Sequence, residues 1–157
     1  MNPSAPPLEF GQFIDAFARH LAQSSLYFQE AGQTSLSIGE ISTSLVSKHA
    51  AYRKSQAEAE AALMALDRAM EAWPAAKKPI GLLHRGVREW LRLIENSVEV
   101  NSITAASEAE RRMPHLESLW SKNRDLSKRA DALLADGARL LEQQFRISID
   151  LSKIFPA

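Results

Sequence analysis

The residues best suited to chemistry are few. The chain has four histidines, His20, His49, His84 and His115, and no cysteine. Without cysteine there is no disulfide, no thiolate zinc site and no cysteine nucleophile. None of the histidines stands in His-Glu-x-x-His or Glu-x-x-His, the spacings that put metal ligands on one helical face. No metal and no cofactor are therefore expected. His49 and Tyr52 lie three apart, so a helix makes them neighbours, and such a pair can move protons. No nucleophile accompanies them, and no glycine-rich loop could cradle phosphate. Ser, His and Asp all occur, but no local pattern joins them into a triad.

His84, in Leu82-Leu83-His84-Arg85-Gly86, resembles over that short stretch the helix-borne histidines of phosphotransfer bundles. The resemblance implies phosphoryl transfer as a distant alternative. The ordinary role of histidines at the edge of an apolar stripe is to bond water or a neighbouring helix. On these grounds the sequence reads as a non-enzyme.

Charge says more. Lys and Arg number 19, as do Asp and Glu, so the formal net charge is zero and there is no general pull towards nucleic acid or anionic lipid. Locally the balance breaks. Lys77, Lys78, Arg85, Arg88 and Arg92 are opposed only by Glu89, and Arg85, Arg88 and Arg92 are spaced by three and four on one helical face. Beside Trp90 this stripe could track phosphates. A second cluster is Arg111, Arg112, Lys122, Arg124, Lys128 and Arg129. Acidic blocks at Glu58, Glu60, Asp67 and Glu71, and at Glu95, Glu99, Glu108 and Glu110, could face the basic ones across an antiparallel bundle. Solvated or paired faces are the favoured reading.

These residues must be carried by helices. Glycine and proline are scarce, apolar residues recur with helical period, and strand alternation is almost absent. After a Pro-rich lead, residues 1–7, one helical domain should span 8–155. The first helix is expected from Leu8 to Ala31, with Phe10, Ile14, Phe17, Leu21 and Phe28 on one face and Gly32 as its left-handed cap. A capping box of Ser37 and Glu40, with Leu36 and Ile41 as a hydrophobic staple, should start the second helix. Its stripe is Ile38, Leu45, Tyr52, Ala59, Leu66 and Trp73, over roughly 55 Å. Pro74 should end it, and the Pro74–Pro79 linker should return the third helix antiparallel, with Ile80, Leu83, Val87, Trp90, Leu91, Ile94 and Val98 inward. A turn near residues 101–107 is favoured, then a restart at Glu108 from a Ser107/Glu110 capping box and a bend at Pro114; the alternative break is at Pro114 itself.

The last helix has the most regular pattern. Leu119, Leu126, Leu133, Leu140, Ile147 and Ile154 recur every seven residues, and the companion position holds Leu116, Asn123, Ala130, Gly137, Gln144 and Leu151. Small residues there let a neighbour approach. Unbroken, the helix would reach Phe155 over roughly 60 Å. The fold class is thus all-α: an antiparallel, coiled-coil-like bundle of about four helices, two of them long. A long last helix should project, leaving Ile147, Leu151, Ile154 and Phe155 as an interface for a protein partner or a second copy, with a dimer expected.

The first helix, with four phenylalanines, has too few cations for a lipid-surface helix and should pack on its own bundle. Met1–Phe10 does not read as a secretory signal, and no run approaches a membrane span. The expected role is a cytoplasmic protein-binding module: an adaptor, assembly subunit or oligomerisation element. A nucleic-acid-associated subunit using Lys77, Lys78, Arg85, Arg88 and Arg92 is the alternative.

Overall fold

A computed structural model describes residues 5–33, 41–105 and 110–154. The chain is an all-α bundle. Helix α1 is Leu8–Gln33, α2 Ile41–Ala72, α3 Lys77–Ala105 and α4 Met113–Phe145. A 3₁₀ turn, Pro74–Ala76, joins α2 to α3, and a single turn, α5, Leu151–Ile154, lies beyond α4. Consecutive long helices pack side by side, α1 on α2, α2 on α3 and α3 on α4. Their contacts run in opposite directions along the chain. His20 meets Glu58, Ser24 meets Ser55 and Phe28 meets Tyr52, while Gly86 faces Leu134 and Ser97 faces Asn123. The helices are therefore antiparallel.

Most residues of the expected apolar faces form the core; Phe28, Tyr52 and Val98 are half-buried, and Ile38 and the Leu45 side chain lie outside the described residues. Phe10, Ile14, Phe17 and Leu21 of α1 are buried, with Ala59, Leu66 and Trp73 at the α2 side and Ile80, Leu83, Val87, Trp90, Leu91 and Ile94 of α3. Burying such side chains contributes roughly 1.5–3 kcal/mol each, the main term holding the helices together. Trp73 is extended, φ −148° and ψ 85°, as Pro74 requires of the residue before it. Its indole lies edge-on between Phe10, 4.9 Å away, and Phe145, 4.4 Å away, so it ties α1 and α4 to the end of α2.

Three expectations change, and two others fall on residues outside those described. Gly32 is inside α1, without positive φ, and caps nothing. The Ser37/Glu40 capping box lies outside the described residues, as does Ser107. Helix α3 runs to Ala105 and α4 starts at Met113, so Pro114 opens a helix instead of bending one; at that position its missing N–H has no helical partner to lose. Finally, α4 stops at Phe145 rather than Phe155. Arg146 enters the left-handed region, φ 56° and ψ 32°, and the Ile147 N–H turns back to the Leu141 carbonyl at 3.3 Å.

Beyond Arg146 the chain forms an extended strap. Ile147, Ile149 and Leu151 are half-buried against the core, while Arg146, Ser148, Asp150 and Ser152 are exposed. This alternation is that of an extended chain. Ile149 lies by Ile14, Ala18 and Ala22 of α1, and Leu151 by Leu134 of α4. The strap thus climbs the side of the bundle where α1 and α4 flank it. The Asp150 carboxylate accepts from the Ser152 N–H at 3.1 Å and caps α5.

Helix α4 also shifts its buried stripe. Leu119 and Leu126 are buried, but Leu133 and Leu140 are only half so, and Leu134 and Leu141 take their places. A straight α-helix drifts about 20° per heptad from a strict seven-residue repeat. After two heptads the repeat has rotated off the core. Gly137 is inward as expected. A Cβ there would come within 2.8 Å of Leu83 and 3.0 Å of the Pro79 carbonyl, so the α3–α4 approach depends on its absence.

Candidate functional site

Each candidate for chemistry has a partner within the scaffold. His20 Nδ1 lies 2.7 Å from Glu58 Oε2, joining α1 to α2. His84 Nε2 lies 3.2 Å from Asp67 Oδ1, joining α3 to α2. His115 Nε2 lies 2.7 Å from Glu99 Oε1, joining α4 to α3. Three of the acidic residues expected to face the basic clusters, Glu58, Asp67 and Glu99, thus meet histidines on a neighbouring helix. No hydrogen bond joins the side chains of His49 and Tyr52. The Arg53 Nε–H donates to His49 Nε2 at 3.5 Å, and the Tyr52 ring packs 5.5 Å from Phe28, where burial pushes its phenol above the ordinary range.

Ser24, one turn after His20, is fully buried and is held in structural hydrogen bonds. Its hydroxyl donates to the Ser55 carbonyl at 2.7 Å, and the Ser55 hydroxyl donates to the Ser24 carbonyl at 2.7 Å. The Trp90 indole N–H donates to Ser24 Oγ at 2.9 Å. This knot pins three helices at one level and gives the polar atoms it buries their partners. It also removes Trp90 from the surface: the indole faces the core and Phe28, not solvent beside the arginine stripe. Among the described residues, no three His, Asp or Glu side chains gather in a way that would hold a metal ion. No described helix is long and apolar enough to cross a membrane.

The basic residues differ from all of these. Lys77, Lys78, Arg85, Arg88 and Arg92 are exposed, as the sequence suggests. Arg92 lies 3.6 Å from Glu89 and Arg129 of α4 lies 3.7 Å from the same carboxylate. Glu89 therefore joins the two basic clusters that the sequence keeps apart. The side chains of Lys77, Lys78, Arg85 and Arg88 form no ion pair among the described residues. Lys77 and Lys78 stand at the start of α3, whose first turn has no acidic residue, the less favourable end of a helix for a cation.

Three of these cations, Lys77, Lys78 and Arg85, rim an open hollow of about 560 Å³ at the join of the 3₁₀ turn and α3. Ala75, Gly81 and Leu82 line it together with Lys77, Lys78 and Arg85, and its surface is chiefly apolar. The stripe changes sign beyond it, because Glu95 and Glu99 continue the face of Arg85, Arg88 and Arg92. The cationic part, residues 77–92, is thus roughly 22 Å long.

The expected C-terminal interface is rebuilt. Ile147 and Leu151 point into the bundle as parts of the strap. The side chain of Ile154, and Phe155 altogether, lie outside the described residues. The signal for the strap was present in the alternation of Ile147-Ser148-Ile149-Asp150-Leu151-Ser152, which the heptad spacing of Ile147 and Ile154 masked. Large apolar side chains that do face solvent are elsewhere, notably Trp120, 43% exposed, and Met113 on α4, and Leu26 and Met64 on α1 and α2. No protein-family model, curated protein or solved structure matches the chain.

Proposed function

We propose that this chain is a non-enzymatic helical interaction module that binds a protein partner through its exposed helix faces. One observation carries the reading: the polar side chains divide into two groups. His20, His84, His115, Ser24 and Ser55 hold neighbouring helices together. Lys77, Lys78, Arg85 and Arg88 hold nothing within the described fold. Exposed charge that no internal partner neutralises is available to an external one, and it steers association. Trp120, exposed on α4, is of the residue type that most often anchors protein interfaces.

Photo-crosslinking tests this reading. A crosslinking side chain placed at Arg88 or at Trp120 in the full chain should yield a discrete protein adduct in native extract. Sedimentation velocity over a wide concentration range would reveal a second copy as the partner. Failure to form an adduct from either position, together with a strict monomer, would overturn the reading.

A second reading has one specific observation in its favour. Glu89 merges the two basic clusters into a wider surface across α3 and α4, which could follow the phosphates of a nucleic acid. Salt-sensitive mobility shifts that disappear in the Arg85→Gln, Arg88→Gln, Arg92→Gln triple variant would favour it over a protein partner.

A further inference from the structure

Resting on the interaction-module reading, we propose that the hollow between the Pro74–Ala76 turn and the start of α3 docks an acidic amphipathic segment of a protein partner. An apolar side chain of that segment enters the hollow, and flanking carboxylates meet Lys77, Lys78 and Arg85.

Three observations define this ligand. The first is charge: three exposed cations without ion-pair partners among the described residues surround one opening. Carboxylates or phosphates would both answer it. The second is the lining. Ala75, Gly81 and Leu82 offer an apolar surface that a sugar–phosphate chain cannot use and a Leu or Phe side chain can. The third is what the surrounding surface lacks for nucleic acid. Trp90 is buried and hydrogen-bonded to Ser24, so it cannot stack on bases. Glu95 and Glu99 bound the stripe and would repel a longer phosphate backbone. A short peptide fits inside that boundary.

Glycine inside a helix weakens it relative to alanine. Gly86 and Gly137 have packing reasons, since a Cβ at either would crowd Leu134 or Leu83 at 2.8 Å. Gly81, like Gly11 and Gly32 of α1, has none: a Cβ there meets no atom within 4 Å. At Gly81 the bare backbone lines the hollow, so a side chain added there would enter open space beside it.

Fluorescence anisotropy decides the matter. The probe is a labelled synthetic peptide with a central Leu flanked by Asp and Glu, compared with the same peptide carrying Ser for Leu and with a single-stranded oligonucleotide of equal charge. The full chain should bind the first peptide in a salt-dependent way and the other two more weakly. The Lys77→Gln, Lys78→Gln, Arg85→Gln variant should lose at least about tenfold in affinity. Gly81→Leu places a side chain at the lining of the hollow without changing charge. It should weaken binding comparably while helicity and thermal midpoint are kept or raised. Binding that responds to the charge changes but neither to Gly81→Leu nor to loss of the central Leu would overturn the proposal, as would preference for the oligonucleotide or no peptide binding at all. The wider reading is tested separately by the crosslinks. If the adduct at Arg88 or Trp120 persists in the Lys77/Lys78/Arg85 variant, the docking site is wrong and the interaction module stands. If the wild type gives no adduct and binds no peptide, both fail.

Discussion

Leu133 and Leu134 are adjacent, chemically identical and differently placed. Leu134 is 1% exposed and lies against Gly86, whereas Leu133 is half-buried. Leu134→Ala should therefore cost roughly 2–5 kcal/mol, and Leu133→Ala about 1 kcal/mol, in chemical denaturation. Asp131 offers a test by pH. It is exposed but lines a hollow with Leu134, Leu151 and Ser152, and the partial loss of water there shifts its carboxyl upward from the ordinary value. The folded chain thus holds that proton more tightly than the unfolded chain does. The resulting stabilisation is present in acid and is lost as pH rises through the folded-state value. Asp131→Asn should accordingly raise the thermal midpoint at neutral pH, and the gain should shrink in acid, once the carboxyl is protonated and both side chains are uncharged.

The strap is the element with the most at stake outside the four long helices. It lays the half-buried Ile147, Ile149 and Leu151 along α1 and α4, and it begins at an arginine in the left-handed conformation, which costs an L residue about 1 kcal/mol. Ile149→Asp places a charge against Ile14 and Ala18 and should free the strap. The expected loss is about 1–3 kcal/mol of stability, with α1–α4 helicity kept. Amide exchange should quicken at the strap and along the α1 face it covers; protection unchanged from the wild type would mean that the strap is not seated in solution. At the α3–α4 contact, Gly137→Ala should destabilise by about 1–3 kcal/mol despite alanine's higher helix propensity, because the new methyl meets the Pro79 carbonyl, which cannot step aside.

Across the molecule, charge and core separate cleanly. The three histidine–carboxylate pairs link successive helices, but they are partly exposed and each contributes only a fraction of the stability that the apolar core supplies. The surface of α3 carries cations at its start and carboxylates towards its end. Replacing Lys77, Lys78 and Arg85 together by Gln should leave the melting transition unchanged or slightly raised, since no ion pair among the described residues is broken and like charges are removed. A clear loss of stability, measured by circular dichroism, would show that these residues support the fold. With the melting transition unchanged, the same variant tests the proposed binding apart from the fold.

Much of this fold is legible in the residues themselves. Local rules suffice for it: Pro74 ends α2 by restricting Trp73, and the apolar spacings of α1 and α3 name the buried residues Phe10, Ile14, Phe17, Leu83, Val87 and Ile94. The exposed basic stripe is legible too, because residues three and four apart on one helix have no choice of face. Three things needed the third dimension. Glu89 could be seen to join Arg92 to Arg129 only once α3 and α4 were packed in register. Trp90 could turn to solvent or to Ser24, and the choice depended on α1 being there to accept its N–H. The end of α4 was decided by the helices beside it. A helix continued past Phe145 would have carried Ile147, Ile149 and Leu151 into water, whereas a turn at Arg146 lays them on α1 and α4. Heptad spacing encodes a helix; the apolar surface left uncovered by the other helices makes the turn more favourable.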